Sequence, residues 1–503
     1  MAANPLLESY NSLQQAEQLR QQRDYARAQS MCEALLGRHP DYMGALHTLG
    51  LIFADQQRYE EALDCLVRAV MLNPQSPMTL TALSEVYLRL GAVELAMTTL
   101  EKARSIKPRD ASILVAAGDI YREFREYELA RDAYRQALGI DSNRAAAAIG
   151  LGWCHASLGD SAEAAAVFES LINRGARLLE PIRALANLPA SVVRIDLLAA
   201  LERVVRDPGE DPLDFEHSIP FFRAVALDRA ARYGEAWAEL TAANDKVFRG
   251  IRNRLHEHSN AQLATSAALR AHARGTGRYR DDRHPISLFI LGPSGCGKTT
   301  LERLVGMLPG FKRGHENPIV EHAVRRTFQS SNLLTVSSVH HLPVRLDGAF
   351  SDIYFDDLAK RAGSAKVFTN TLSTCIHDAA RLISAIKNVR FVFVKRNLED
   401  NLLRVFMRKY RPGTVVYSYN LKSARDHITW YDQTMHLMAE KFPDIVRILS
   451  YEDIVAQPGA AVELVTQLCD QPMPDITLPE LVGDVGCATP YREMLAGVFN
   501  AAK

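Results

Sequence analysis

The chain has 503 residues, too many for one ordinary core, and its length predicts two or three domains. Hydrophobic residues make up 47% and charged residues 23%, the balance of a globular protein; Lys plus Arg and Asp plus Glu both number 59, so no net field selects a nucleic acid or a membrane surface. The seven cysteines are scattered without a CxxC pair, which excludes a recognisable zinc site and reads as reduced thiols.

The first residues, MAANPLLESYNSLQQAEQLRQQ, lack the basic-then-apolar layout of a signal peptide, and no apolar run approaches the roughly 18 residues that span a bilayer. A cytoplasmic location is expected. A strict period follows. Pro40, Pro74 and Pro108 lie 34 residues apart and Ser142 continues the count. Ala28, Ala62, Ala96, Ala130 and Ala164 keep the same interval, as do Leu49-Gly50, Leu83-Ser84, Ala117-Gly118 and Leu151-Gly152. Phe53, Tyr87, Tyr121 and His155 come three positions after each of those pairs. A 34-residue period with small residues where two helices meet and proline between units resembles the tetratricopeptide repeat. About five repeats are expected over residues 9 to 176, because single units cannot bury their own apolar faces and must stack. The resemblance implies a concave surface for a protein or peptide partner.

Beyond Gly175 the period lapses, yet the sequence still reads as helical, and IPFFRAVALDRAARYGEAWAEL places Ala224, Tyr233 and Ala236 in repeat-like positions. A repeat domain over 1–250, including a capping unit, is expected, then a linker over 251–283 whose end is the basic, polar RAHARGTGRYRDDRH. A second domain over 284–503 completes the chain.

That domain opens with ISLFIL, a run typical of a buried parallel strand. Gly292-Pro-Ser294-Gly295-Cys-Gly297-Lys298-Thr299-Thr300 follows, and then the amphipathic LERLVGML. Strand, glycine-rich turn, Lys, Thr and helix form a P-loop: glycines let backbone N–H groups curl around a phosphate, and the helix N-terminus adds its dipole. Lys298 would bring a full charge to a terminal phosphoryl or sulfuryl group. A magnesium-dependent NTPase also needs an acid at a strand end, but Val389–Val394 runs into Lys395-Arg396, and Asp453 is the acid near another strand end. A P-loop kinase or NTPase stays open as an alternative.

The stretch VRFVFVKRNLEDNLLRVFMRKY, with YSYNLKSARDHITWYDQTMHLMAEKFPDIVRILSYEDIVAQPGAAVELVTQLCD beyond it, resembles sulfotransferases that use 3′-phosphoadenosine 5′-phosphosulfate. It is most similar to the bacterial type preceded by tetratricopeptide repeats, and more distantly to tyrosylprotein sulfotransferases. The resemblance covers residues 285 to about 470. It implies an α solenoid followed by a three-layer α/β P-loop domain with a mostly parallel sheet, a nucleotide cosubstrate and no metal. The acceptor would be a hydroxyl on a glycan, a lipid-linked sugar or a protein. Ser294, Gly295, Gly297, Lys298, Thr299 and Thr300 would hold the 5′-phosphosulfate and Arg396 the 3′-phosphate. Arg404 stands where the family has a serine partner to that arginine. Gly314-His315-Glu316-Asn317 matches the family segment whose glutamate is the general base, so Glu316 and Lys298 would be the catalytic pair; a structural loop carboxylate is the other reading of Glu316.

Two departures from the family stand out. The P-loop is about one residue longer, and Phe368-Thr-Asn-Thr371-Leu carries no lysine where the family often has one. A scaffold with a degenerate transferase domain is therefore a third alternative. His340-His341 follows LLTVSSV, a predicted strand, and is read as packing before catalysis. Tyr417, Tyr419, Trp430 and Tyr431 are read as core, and Glu452-Asp453 as a structural strand end.

Overall fold

A computed structural model describes residues 5–500 apart from 91, 207–210, 273–282, 331–338, 340, 341, 411–414 and 482. LLTVSSV, except its last residue, and His340 and His341 lie outside the described residues. By internal contacts the chain divides into two compact units, Met1–Gly175 and Ala176–Lys503.

Among the described residues, ten helices build the first unit: α1 (Pro5–Gln21), α2 (Tyr25–Arg38), α3 (Met43–Asp55), α4 (Tyr59–Leu72), α5 (Pro77–Arg89), α6 (Val93–Ile106), α7 (Ala111–Glu123), α8 (Tyr127–Ile140), α9 (Ala145–Leu158) and α10 (Ser161–Asn173). They pair as five antiparallel hairpins, and the 34-residue alanines explain why. Ala28, Ala62, Ala96, Ala130 and Ala164 are all completely buried. Each lies in the first turn of the second helix of its hairpin, where its small side chain is fully covered. The glycines on the facing helices make the same point. A Cβ on Gly50, Gly118 or Gly152 would strike Leu66, Tyr134 or Phe168 at 2.7, 2.6 and 2.5 Å. Pro40, Pro74 and Pro108 occupy the turns between hairpins, where no helical N–H is needed.

The second unit begins with α11 (Leu179–Asn187), α12 (Leu197–Leu201), and the hairpin α13 (Pro212–Arg229) and α14 (Tyr233–Ile251). The unit boundary therefore falls near 175, not at the 250 read from the repeat pattern. The cause is chemical: Phe221, Ala224, Leu240 and Val247 share a core with Phe406 and Tyr419. Asn244 Nδ2 donates to the Phe406 carbonyl at 3.0 Å, and Lys409 Nζ to Asp214 Oδ1 at 2.7 Å. The expected linker is corrected too. Leu255–Ala271 forms helix α15. Its Leu269 is completely buried in the core of the α/β domain, and Lys441 Nζ caps its last carbonyls at Leu269, Arg270 and His272. The polar surface of this segment concealed one inward-facing stripe.

The sheet comprises β1 (Ile286–Leu291), β2 (Phe311–Lys312), β3 (Val367–Asn370), β4 (Val389–Lys395) and β5 (Val446–Ser450), all parallel in the order β2-β3-β1-β4-β5. Strand periodicity splits the apolar residues between two cores. Phe289, Leu291, Phe391 and Phe393 face α17 (Ile319–Ser330), α18 (Asp347–Ala362), α19 (Cys375–Ala385) and α21 (Leu421–Lys441). Leu288, Ile290, Val392 and Val394 face α16 (Lys298–Val305) and α23 (Pro458–Leu468). Helices α20 (Leu398–Phe406), α22 (Tyr451–Ala456) and α24 (Arg492–Asn500) complete the unit. This is a three-layer α/β domain with a five-stranded parallel sheet, buried on both faces as such sheets require.

Candidate functional site

From β1 the chain crosses to the edge strand β2, returns to β3 between β2 and β1, and then crosses to β4 on the other side of β1. That reversal opens a crevice beyond the carboxyl ends of the central strands, the usual ligand position in open parallel sheets. The P-loop lies there. Gly295 and Gly297 have φ of +75° and +103°, values that favour glycine. A Cβ on Gly292 would meet the Val394 carbonyl, one on Gly297 the Tyr451 ring, and one on Gly295 the Cβ of Arg404 at 3.0 Å. The loop is a tight backbone cradle leading into the N-terminus of α16.

Lys298 is the first residue of α16. Its Nζ, buried, donates to the carbonyls of Gly292 and Pro293 at 2.9 and 3.1 Å, so the ammonium lies folded across the loop. Thr299 is exposed and Thr300 partly so, both in the first turn of that helix. Ser294 is held from two sides. The Tyr410 hydroxyl donates to its Oγ at 2.8 Å, and Asn401 Nδ2 to its carbonyl at 2.6 Å. Tyr431 completes the support by accepting the Gly292 N–H at 3.1 Å.

Glu302, one turn along α16, is 1% exposed and looked in the sequence like any helical glutamate. It accepts from Thr369 Oγ1 at 2.6 Å and from the His315 N–H at 2.9 Å, and Arg313 lies 3.6 Å away. Burial pushes its carboxyl up, against the opposing pull of Arg313 and those two hydrogen bonds. The end of β3 adds three more ties: Gly314 N–H to Thr369 Oγ1 at 3.0 Å, Asn370 Nδ2 to the Asn317 carbonyl at 2.8 Å, and Thr371 N–H to the His315 carbonyl at 2.9 Å. The stretch without the family's lysine thus serves as the anchor of the 314–317 loop. His315 sits at φ +55° in that loop, and Glu316 next to it is exposed. Burial pushes the Tyr410 phenol up, and the negative charge of Glu316 adds to that rise.

Arg396 ends the β4 turn with its side chain 2% exposed. It donates to the Gly295 carbonyl at 3.2 Å and the Asp484 carbonyl at 2.7 Å, and its Cζ lies 4.5 Å from the centre of the Tyr451 ring. Its Nε is buried without a hydrogen-bond partner. Arg404, on α20, is half exposed and pairs through Nε with Asp484 Oδ2 at 3.0 Å. Asp484 carried no signal in the sequence. Burial would raise its carboxyl, but Arg404 and Arg396 outweigh that and hold it below the usual range.

The aromatic residues of 417–431 are packing residues, as read. Tyr417, Tyr419 and Tyr431 are buried, and His427 stacks on Tyr417 at 3.6 Å. Glu452 accepts the Asn397 N–H at 2.9 Å and holds the β4–α20 turn. Among the described residues no three metal-ligating side chains cluster, and no helix is long and apolar enough to cross a membrane.

Strand, cradle and basic strand end define a P-loop α/β domain that follows a stack of helical repeats. Comparison with known families agrees. Residues 287–475 match the sulfotransferase family, and 13–77, 47–111 and 115–177 match the tetratricopeptide repeat. The chain carries tetratricopeptide repeats followed by a sulfotransferase-family domain, and its enzyme class is that of the sulfotransferases dependent on 3′-phosphoadenosine 5′-phosphosulfate. No curated protein matches it. Similar solved structures include a thermophilic tetratricopeptide repeat protein of Thermus thermophilus, at 23% identity over 35% of this chain and 97% of that one, with a TM-score of 0.33. A tetratricopeptide repeat protein from Parabacteroides merdae is 18% identical over 47% of this chain and 93% of its own, with a TM-score of 0.35.

Proposed function

We propose that the chain transfers a sulfuryl group from 3′-phosphoadenosine 5′-phosphosulfate to a hydroxyl on a glycan, a lipid-linked sugar or a protein, and does so in the cytoplasm. The observation that carries this reading is Glu316, presented on a loop anchored by Glu302 and β3, beside the P-loop cradle. The residues fit the nucleotide. The glycines let the 292–297 backbone pack directly against the Val394 carbonyl, Tyr451 and Arg404, where no side chain fits, and Arg396 Nε is a buried donor without a partner.

The bound nucleotide would supply an activated sulfuryl group. Ser294, Gly295, Gly297, Thr299 and Thr300 would hold its 5′ side at the start of α16, where backbone N–H groups and the helix dipole favour an anion. Lys298 would exchange its two carbonyl acceptors for the oxygens that gain charge as the S–O bond breaks. Arg396 and Arg404 would take the 3′-phosphate. Glu316 would accept the proton of the attacking hydroxyl. A sulfate ester and adenosine 3′,5′-bisphosphate leave. The repeats would present a protein or peptide partner, following the habit of the family. Calorimetric titration with adenosine 3′,5′-bisphosphate without magnesium, beside ATP with magnesium, tests the reading. Binding of ATP–magnesium alone would replace it with the kinase alternative, and binding of neither with the scaffold alternative.

A further inference from the structure

Among the described residues, Asp484 is the carboxylate that touches both arginines of the strand-end pair. Its Oδ1 lies 3.0 Å from Arg396 Nη2 and its Oδ2 3.0 Å from Arg404 Nε. The Tyr451 hydroxyl donates to Oδ1 at 2.9 Å. We propose that Asp484 is the protein's own anion in the place of the nucleotide's 3′-phosphate, an internal competitor that the ligand must displace. This rests on the assignment of Arg396 and Arg404 to that phosphate.

Three features make the contact a built one. First, the backbone around Asp484 is pinned independently of its side chain. The buried Asp400 carboxylate accepts from the N–H groups of Gly486 at 2.6 Å and Ala488 at 2.9 Å, and Arg396 donates to the Asp484 carbonyl. Only a side-chain rotation is needed to vacate the pair. Second, exposure is graded toward solvent: the Arg396 side chain is 2% exposed, Asp484 35% and Arg404 52%. A ligand arriving from outside meets the displaceable carboxylate before the fixed arginine. Third, the displaced contacts suit a phosphate. A carboxylate offers two oxygens and one charge, whereas a phosphate monoester offers three oxygens and nearly two charges, so it can pair both arginines and also take the Tyr451 hydroxyl.

The consequence is exchange rather than simple addition. Without Asp484, Arg396 would keep Asp400, at 3.8 Å, as its only ion-pair partner among the described residues, and would be left under-compensated in a buried position. With it, the empty site is stable but the affinity for the bisphosphate is lowered. A nucleotide lacking a 3′-phosphate has nothing to put in place of the carboxylate and leaves it where it is. The device therefore holds down the affinity for 3′-phosphorylated nucleotides and narrows their margin over nucleotides without a 3′-phosphate, while keeping the buried arginine compensated in the ligand-free protein.

The test uses the full-length protein, the Asp484→Asn variant, and calorimetry with adenosine 3′,5′-bisphosphate and adenosine 5′-monophosphate. The variant should bind the bisphosphate about tenfold more tightly, because removing the state that blocks the site raises the apparent affinity by the inverse of the open fraction, and the monophosphate unchanged. Its ligand-free melting temperature should fall and recover with the bisphosphate. Equal gains for both nucleotides would show a general charge effect and overturn the idea. Unchanged or weaker bisphosphate binding in a variant that melts cooperatively would overturn it as well. A wild-type protein that does not prefer the bisphosphate would remove the phosphate assignment beneath it, a distinct result from a wild type that prefers it while the variant gains nothing. Asp484→Ser, which also removes the charge, replaces the asparagine variant if that one fails to fold.

Discussion

Thr369 donates its hydroxyl to Glu302 at 2.6 Å, joining the end of β3 to the P-loop helix beneath the loop that carries Glu316. Both groups are buried, so the bond is the floor of the candidate catalytic loop. Glu302→Ala would leave the Thr369 hydroxyl and the His315 N–H unpaired, a loss of about 1–3 kcal/mol in stability. Glu302→Gln keeps one acceptor and should cost less. Because the loop shifts while the cradle does not, turnover should fall by roughly 10²-fold, the worth of a small misplacement, with bisphosphate affinity nearly kept. Parallel losses of affinity and turnover would show that Glu302 supports the cradle instead.

Lys298 is held by two carbonyls of its own loop, so its removal costs the fold little while stripping the site of its central charge. Lys298→Ala should weaken bisphosphate binding by about 10–100-fold, the equivalent of a charge-assisted hydrogen bond of about 1.5–3 kcal/mol. Calorimetry with a melting curve on the same sample checks both halves. Unchanged affinity would mean that the loop is only a structural turn.

A buried histidine pair gives the second unit a pH dependence. His427 Nδ1 lies 3.1 Å from His258 Nε2 and 3.0 Å from Gln262 Nε2, and the amide can only donate, so Nδ1 is an acceptor and the ring is neutral. Burial holds His427 far below its ordinary value, with the positive potential of His258, His377 and Lys298 adding to the effect; burial likewise lowers His258. A histidine depressed in the folded state binds fewer protons than it does unfolded. Its contribution to stability is complete above about pH 6.5 and declines as pH falls below that, by up to about 1.4 kcal/mol per pH unit. His427→Gln, which keeps an acceptor and does not titrate, should flatten the acid side of the stability curve. Equal stability of the wild type in urea melts at pH 5 and pH 7 would refute the account.

Legibility in the sequence followed the kind of signal involved. The repeats were readable because one alanine per 34 residues records the same close helix approach five times. The P-loop was readable because its glycines, lysine and flanking strand are contiguous. The floor of the site was not. Glu302 has the spacing of any amphipathic helix residue, and its partners Thr369 and His315 are distant in sequence. Asp484 sits in a stretch without regular structure, where only the fold brings it to Arg396. Helix α15 was missed because its polar surface outweighs its two buried residues, Thr265 and Leu269. The resemblance carried the general base to Glu316, but what supports that glutamate needed coordinates.

The boundary near residue 175 leads to an expectation for fragments. Residues 1–175 should unfold cooperatively alone, since each hairpin packs on its neighbours. A fragment ending at 250 would carry Phe221, Leu240 and Val247 without Phe406 and Tyr419, their partners in the second unit. Hydrogen exchange should then find 212–250 unprotected in that fragment and protected in the full chain. Equal protection in both would restore the longer repeat domain.

Glu316 is the residue on which turnover most depends. It is exposed at the tip of an anchored loop, its charge reaches Tyr410, and Tyr410 holds Ser294 in the cradle. An exposed carboxylate is a usable base because an acceptor hydroxyl can reach it from solvent. Glu316→Gln preserves shape and removes the base. Affinity for adenosine 3′,5′-bisphosphate should stay within about twofold, since no phosphate contact is lost, while sulfuryl transfer should fall by about 10²–10⁴-fold. The pH profile separates a base from a support: the acid limb of turnover in the wild type should follow a carboxylate and vanish in the variant. Full turnover in Glu316→Gln would place the base elsewhere and make His340 and His341 the next residues to substitute. A loss of bisphosphate binding instead would show that Glu316 shapes the loop and takes no proton.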